Sequence, residues 1–394
     1  MRFERACIPL GGAWSSPFAR WQGPFAEVSS LDLAVAVGRR ALADRGIPPD
    51  AITQLVLGWT VPQPGAFYGA PTVAARLGAP GVTGPMVAQA CATSVAAVTL
   101  AALGVETGYQ GLTLALLADR TSNGPHLTWP SPSAPGGMVV AEDWVMENFR
   151  RDPWAGRAMH QTAERVAAEA GITREELDEV TLLRYEQYGR ALDHDRAFQR
   201  RYLVPVELPG RPGRVVDADV GVHDTTKEGL AGLRPVEPDG VVTYGSQTHP
   251  ADGAAGVLVT TQAHARELSG GEGVVRVLAS ATARVGKGEM PKAPVPAAAA
   301  ALADAGLDFD RLDAVTAHDP FAVNDVWFSR QTGLAPADVN RFGSSLVYGH
   351  PQAPTGARLL AELIETLRLR GGGTGLYTGC AAGDTGAALV VRVE

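Results

Sequence analysis

Short apolar runs and longer stretches of helical periodicity follow one another along most of this chain. Gln54–Trp59, Leu112–Leu117, Ala254–Thr260, Val274–Ala283, Ala314–Thr316 and the pair within Gly375–Val393 are apolar runs bounded by Gly, Pro or charge, the pattern of buried strands. Between them, Ser30–Arg45 carries Leu31, Val35 and Leu42 on one face, with Ser29 or Ser30 as a cap and Gly46 and Pro48-Pro49 as a stop. Ala70–Leu77, Ala92–Glu106, Ala297–Ala305 (ended by Gly306) and the amphipathic Gly356–Leu369 predict further helices. Strands alternating with helices at this spacing predict α/β layers around a mostly buried sheet.

From Thr121 to about His249 the alternation stops. This segment holds most of the Trp, Tyr, Arg and Pro. It predicts two polar-faced helices, Ala158–Ala170 and Arg174–Asp193, split by Gly171, followed by an irregular Pro/Gly-rich stretch over Pro205–His223. An insertion of this length reads as a subdomain or loop region covering a site. The strand-helix-strand order with reactive residues at loop tips occurs before and after it, which suggests a duplicated unit without a residue-level repeat.

Composition narrows the class. With 394 residues, 45% hydrophobic and 19% charged, the chain is sized for two or three structural units of a packed globular protein. A net charge of −8 argues against a phosphate-backbone footprint, hence against nucleic acid as partner. No run is apolar enough for a transmembrane helix, and the N-terminus shows no targeting segment. The three cysteines, Cys7, Cys91 and Cys380, are far apart and odd in number. That suits free thiols in the cytoplasm and no metal site.

One cysteine stands out by position. In Pro85–Gly108 the apolar Met86-Val87-Ala88 reads as the end of a buried strand, and the helix from Ala92 follows directly. Cys91 at that junction lies near the first helical turn, where unpaired N–H groups and the dipole lower a thiol pKa. A nucleophile is one expectation for such a residue. A buried cysteine acting as a small hydrophobe is the other.

Further motifs carry a resemblance. They are Gln89-Ala90-Cys91-Ala92-Thr93-Ser94, Ser122-Asn123-Gly124-Pro125-His126, Met159-His160-Gln161-Thr162-Ala163-Glu164, the return from Gly245 through Asp252-Gly253-Ala254-Ala255, and His318-Asp319-Pro320-Phe321-Ala322. In this order the chain resembles the thiolase family nearly end to end, with histidine first in the His-Asp-x-Phe motif as in the sterol-carrier-protein type. The resemblance implies a five-layer α-β-α-β-α fold of two similar halves. The halves would be 1–120 (completed by 250–268) and 269–394, with 121–249 as a loop domain over the site.

The activity implied is acyl transfer to or from carbon, cleaving or forming a 3-oxoacyl-CoA through an acyl group on Cys91. His350 would take the thiol proton, Cys380 would move the proton on the substrate α-carbon, and His318 would help hold an oxyanion through its ring or a water. The backbone N–H groups of Cys91 and Ala382 would form a second oxyanion hole. Thr248, His249, Phe321 and Asp384 are candidate substrate contacts, and Arg184, Arg190, Arg200 and Arg201 candidate ligands of CoA phosphates. Trp129, Trp144, Phe149 and Trp154 would line an acyl pocket or pack the insertion. The implied partners are CoA and its thioesters as substrates, with no covalently bound cofactor, a second copy in a homodimer or homotetramer, and a small accessory protein.

Two segments depart from the family pattern. Gln352-Ala353-Pro354 follows Gly349-His350-Pro351, and Ala382 and Asp384 replace glycines after Cys380. A Cβ at 382 restricts the backbone where the oxyanion donor is needed. Asp384 would place a carboxylate near developing enolate charge. These changes leave two alternatives open: another acyl-cysteine transferase, such as a ketoacyl-synthase-like condensing enzyme, and a non-catalytic acyl-CoA-binding subunit.

Overall fold

In the computed structural model, which describes residues 1–394, the apolar runs pair into one continuous path of sheet. The strands are β1 (Ala6–Pro9), β2 (Gln54–Gly58), β3 (Met86–Val87), β4 (Leu112–Arg120), β5 (Ala251–Thr261), β6 (Val274–Arg284), β7 (Ala314–His318), β8 (Gly373–Ala381) and β9 (Thr385–Val393). Their order is β7-β8-β9-β6-β1-β5-β4-β2-β3.

β1 is the seam. Cys7 pairs with Thr260 of β5 on one side and with Arg276 of β6 on the other. The same pairing scheme runs outward from each side of that seam. β2 and β4 are parallel, and β4–β5 and β5–β1 antiparallel. β7 and β8 are parallel, and β8–β9 and β9–β6 antiparallel. The duplication hinted at by the sequence is therefore a repeat of topology, with side chains free to diverge.

A parallel pair needs a crossover, and each half supplies a central helix for it. These are α3 (Thr93–Glu106) and α8 (Thr355–Leu369). α1 (Ser30–Asp44), α2 (Gly69–Leu77) and α6 (Pro294–Ala305) cover the outer faces. α1 starts where its cap predicted, with Ser29 Oγ accepting from Asp32 N at 3.1 Å. α3 is rich in Ala, Val and Leu on every side; most of it is buried, while Ala96, Thr99, Leu100, Leu103 and Gly104 form a half-buried stripe.

α8 departs from its amphipathic expectation, because every residue from Thr355 to Leu367 is buried. Its charges are neutralised inside the protein instead of in solvent. Arg358 makes two bonds to Asp219 (2.6 and 2.8 Å) and one to Glu362 (3.0 Å), with its guanidinium 3.6 Å above the Tyr348 ring. β3 departs the other way. Expected as buried, it is a half-buried two-residue edge strand paired only with β2.

The segment between β4 and β5 forms a hairpin (His126–Pro130 with Val139–Asp143) and the helices α4 (Met159–Ala170) and α5 (Arg174–Arg196). Between β7 and β8 lies α7 (Ala322–Thr332), a helix not foreseen because its polar residues Asn324 and Asp325 are themselves buried. Ser94 Oγ of α3 donates to Ala353 O (2.5 Å) and accepts from Ala357 N (2.8 Å), which pins the two central helices together at their N-terminal ends.

Candidate active site

That pinned junction brings Cys91 and His350 together. Cys91 precedes α3 in a tight turn: Ala90 takes φ +45°, and Thr93 Oγ1 donates to Ala90 O (2.6 Å) while accepting from Gln89 N (2.8 Å). His350 precedes α8, with its N–H bonded to His249 O (2.9 Å) and its Nδ1 2.7 Å from Thr355 Oγ1. Its Nε2 lies 3.0 Å from Cys91 Sγ, and Gln352 Oε1 is 3.3 Å from the same sulfur.

His318 ends β7, and its ring centroid is 4.1 Å from that of His350. A polar chain runs behind it. His318 Nδ1 meets Ser345 Oγ (2.7 Å), Ser345 donates to Asp319 Oδ1 (3.0 Å), and Arg184 Nε reaches Asp319 Oδ2 (3.3 Å). Because Ser345 spends its proton on Asp319, its lone pair receives Nδ1–H, so Nε2 of His318 carries a bare lone pair. That atom is sealed from solvent and has no hydrogen-bond partner. Cys380, near the end of β8, receives Nδ2–H of Asn324 at 3.3 Å.

Burial dominates the electrostatics. It pushes the Cys91 thiol up to about 12, against the N–H groups of Ala382 and Cys91 itself, which point at the sulfur and favour the anion. The helix-start expectation of a lowered pKa is thus overturned: loss of hydration outweighs the amides. Burial also raises the Cys380 thiol, helped by the nearby Cys91 sulfur. It lowers His318 to about 3, and takes His350 well below 6.5 with His318 adding to the effect. At neutral pH the site holds two thiols and two uncharged imidazoles.

Ala382 has a φ in the range open to any L-residue, while the left-handed turn falls on Gly383 (+82°) and Asp384 (+58°). The Cβ at 382 therefore does not strain the backbone at this position. Asp384 does not offer a free carboxylate: it accepts from Gly288 N (2.8 Å) and Glu289 N (3.0 Å). From the insertion, Asp152 Oδ2 accepts from Gly383 N (2.8 Å) and holds the same turn from the other side.

Thr248 bonds Pro320 O and Ser345 O through its N–H (2.8 Å) and hydroxyl (2.5 Å). His249 lies beside Gly349 with a sealed, unpartnered Nε2. Phe321 is buried in one apolar cluster with Leu346 and Cys380, Met159 packing against it.

The arginines fall elsewhere. Arg184 is fully buried on Asp319 and Asp325, so it cannot reach a phosphate in solvent. Arg190, Arg200 and Arg201 pair with Glu186, Asp195 and Glu365. Trp144 Nε1 donates to Thr60 O (3.0 Å), and Trp154 lies against Arg284 and Lys287. Trp129 is exposed on the hairpin and Phe149 is partly buried. The hydrogen-bond partners of the four candidate groups, Thr355, Gln352, Ser345 and Asn324, were not assigned roles from the sequence. The signal for Asn324 was available: it follows His318 by six residues, on a helix that opens at Ala322.

A thiol in contact with an imidazole, two backbone N–H groups aimed at the sulfur and a second thiol are groups that covalent acyl transfer can use, set on a two-half α/β scaffold. Comparison with known proteins agrees. Residues 11–263 match the family model "Thiolase, N-terminal domain" and residues 272–393 the model "Thiolase, C-terminal domain". The chain belongs to the thiolase family, and its fold is the thiolase fold. It is 30% identical to an acetyl-CoA acetyltransferase of Allochromatium vinosum over 98% of each chain. It superposes on the crystal structure of the Bacillus anthracis acetyl-CoA acetyltransferase with a TM-score of 0.90, 27% identity and full coverage of both chains. Human mitochondrial 3-ketoacyl-CoA thiolase in complex with CoA shares the fold at a TM-score of 0.92 and 23% identity, covering 100% of this chain and 99% of that one. No helix is long and apolar enough to cross a membrane.

Proposed function

We propose that this protein is an acyl-CoA C-acyltransferase that cleaves or forms a 3-oxoacyl-CoA through a thioester on Cys91. The observation that carries the reading is the 3.0 Å contact of Cys91 Sγ with His350 Nε2, beneath the converging N–H groups of Cys91 and Ala382. As a CoA thioester arrives, the thiol proton passes to His350 while the sulfur attacks the carbonyl carbon. The two N–H groups receive the oxyanion, and CoA leaves as the tetrahedral intermediate collapses. In the second half-reaction Cys380, oriented by Asn324, exchanges the proton on the nucleophile's α-carbon. His350 and a water held on the Nε2 lone pair of His318 would flank the enolate oxygen.

His318 in first place of its motif supports a reading closer to the sterol-carrier-protein type of thiolase. Phe321, Met159 and Leu346 would form the apolar wall, and Thr248 and His249 the floor of the channel. The 121–249 segment acts as a loop domain between the halves 1–120 (with 250–268) and 269–394. The edge strand β3 supports a homodimer built across it. Intact-mass spectrometry after mixing with a panel of CoA thioesters tests the reading. An acyl adduct is expected on Cys91 and absent in Cys91→Ser. Full thiolysis and condensation by Cys91→Ser would overturn it.

A further inference from the structure

Cys91, His350 and His318 offer three metal-ligating atoms that all lie within 4.8 Å of one another. Each imidazole is oriented from behind through Nδ1, by Thr355 Oγ1 for His350 and by the Ser345–Asp319 pair for His318. The Ser345–Asp319 pair fixes the His318 tautomer that leaves its Nε2 free to bind, and Thr355 Oγ1 can accept Nδ1–H of His350 in the same tautomer. His318 Nε2 supplies a second, independent pointer. It is a buried lone pair without a partner, on a residue only 1% exposed, and the protein pays its desolvation with no compensating bond.

We propose that these three residues form a tridentate site for a divalent cation of the zinc class, which closes the nucleophile reversibly and competes with the acyl group for Cys91. One thiolate and two imidazoles are borderline-soft ligands, which favours zinc or copper over magnesium or calcium. With zinc–sulfur near 2.3 Å and zinc–nitrogen near 2.0–2.1 Å, tetrahedral geometry puts ligand atoms about 3.3–3.7 Å apart. The Cys91–His350 pair at 3.0 Å opens slightly, and the widest separation closes by about an ångström, within the reach of small side-chain rotations. A fourth position stays open to water.

The step balances simply. The Cys91 S–H bond breaks, its proton goes to buffer, and the sulfur electron pair binds the ion. Each imidazole binds through a ring-nitrogen lone pair and keeps its N–H proton. One proton is released per ion and nothing is oxidised. An acylated sulfur has no thiolate to give, so acylation and metal binding exclude each other.

The site is shared with the proposed reaction, and the proposal rests on that reading only for its regulatory meaning; the readout is borne by the metal itself. The intact protein is titrated with cobalt(II) chloride without oxygen. Saturation at one equivalent is expected, with a sulfur-to-cobalt band in the near ultraviolet and visible bands of four-coordinate intensity. The charge-transfer band should vanish in Cys91→Ser and in wild-type protein carbamidomethylated at Cys91, and persist in Cys7→Ser and Cys380→Ser. His318→Asn should weaken binding at least tenfold. Zinc should displace cobalt with one proton released per chain in calorimetry across buffers. Absence of a saturable band, survival of the band after Cys91 is blocked, or unchanged affinity in His318→Asn would overturn the proposal. Cobalt binding without any acyl adduct, or the reverse, separates its failure from that of the proposed reaction.

Discussion

Alkylation of Cys91 probes the resting state of the site directly. Burial pushes its thiol from 9.0 to about 12, which is about 4 kcal/mol against the anion. The only base in contact, His350, is itself held neutral. The resting pair is therefore thiol and imidazole, with no thiolate–imidazolium ion pair. At pH 8 the thiolate fraction is about one in ten thousand, and it grows about tenfold per pH unit. The reaction of Cys91 with iodoacetamide, a neutral reagent, is predicted to accelerate about a hundredfold from pH 7 to pH 9. The sign follows from the raised pKa: the reactive anion is gained as pH rises, with no plateau below about pH 11. Quenched samples digested and quantified by mass spectrometry give the rate at Cys91, with Cys7, raised to about 11, as an internal reference. His350→Ala should abolish acyl transfer yet change this alkylation by less than about tenfold, because His350 acts on the proton only as the thioester is attacked. A rate flat between pH 6 and pH 9 would show a standing ion pair and refute the reasoning.

Three further outcomes are expected. Asn324→Leu removes the N–H donor at Cys380 and, at about 1–1.5 kcal/mol for such a bond, should lower condensation kcat about tenfold while leaving acyl-adduct formation on Cys91 intact by mass spectrometry. Asp119 receives Thr60 N, Thr60 Oγ1, Val61 N and Ala353 N, and burial raises its carboxyl to about 7. A carboxyl that binds its proton more tightly when folded adds stability at low pH that declines as pH rises from about 4 to about 7; in urea titrations Asp119→Asn should flatten that slope and cost about 1.5–3 kcal/mol at pH 5. At Gly356 a Cβ would come within 2.6 Å of Tyr377 Oη and 2.9 Å of Ser94 Cβ; overpacking of about 1–3 kcal/mol should lower the melting temperature of Gly356→Ala and reduce kcat with it, since Thr355 at the start of α8 holds the His350 ring.

Most of the frame was legible in the sequence because burial follows apolar runs. β2, β4, β5 and β6 begin or end within a few residues of their predicted bounds. What failed were cases in which polar side chains are buried by pairing across distant segments. α8 looked half-exposed because Arg358, Glu362 and Glu365 look solvated to a helical wheel; Asp219, far away in sequence, takes up one of them. Arg184 looked like a phosphate ligand for the same reason, and its true partners, Asp319 and Asp325, come from the C-terminal half. At the site, residue types proposed Cys91, His350, His318 and Cys380, and the fold brings Cys91, His350 and His318 together. They could not announce the direction of the Cys91 pKa, which depends on how much water the fold leaves around the sulfur. The worry over Ala382 dissolved once the positive φ values fell on its neighbours Gly383 and Asp384.

Ser94 holds the N-terminal ends of α3 and α8 together, and Cys91 lies in the turn just before one of those helices while His350 lies just before the other. The Cys91–His350 contact is therefore made between the two halves. A mutation that tilts one half by a fraction of an ångström is read out in the thiol–imidazole contact, however far away it lies, unless the other half tilts with it. Compensating substitutions for loss of activity should accordingly be found along the seam of α3, α8 and β1, and seldom beside the original lesion.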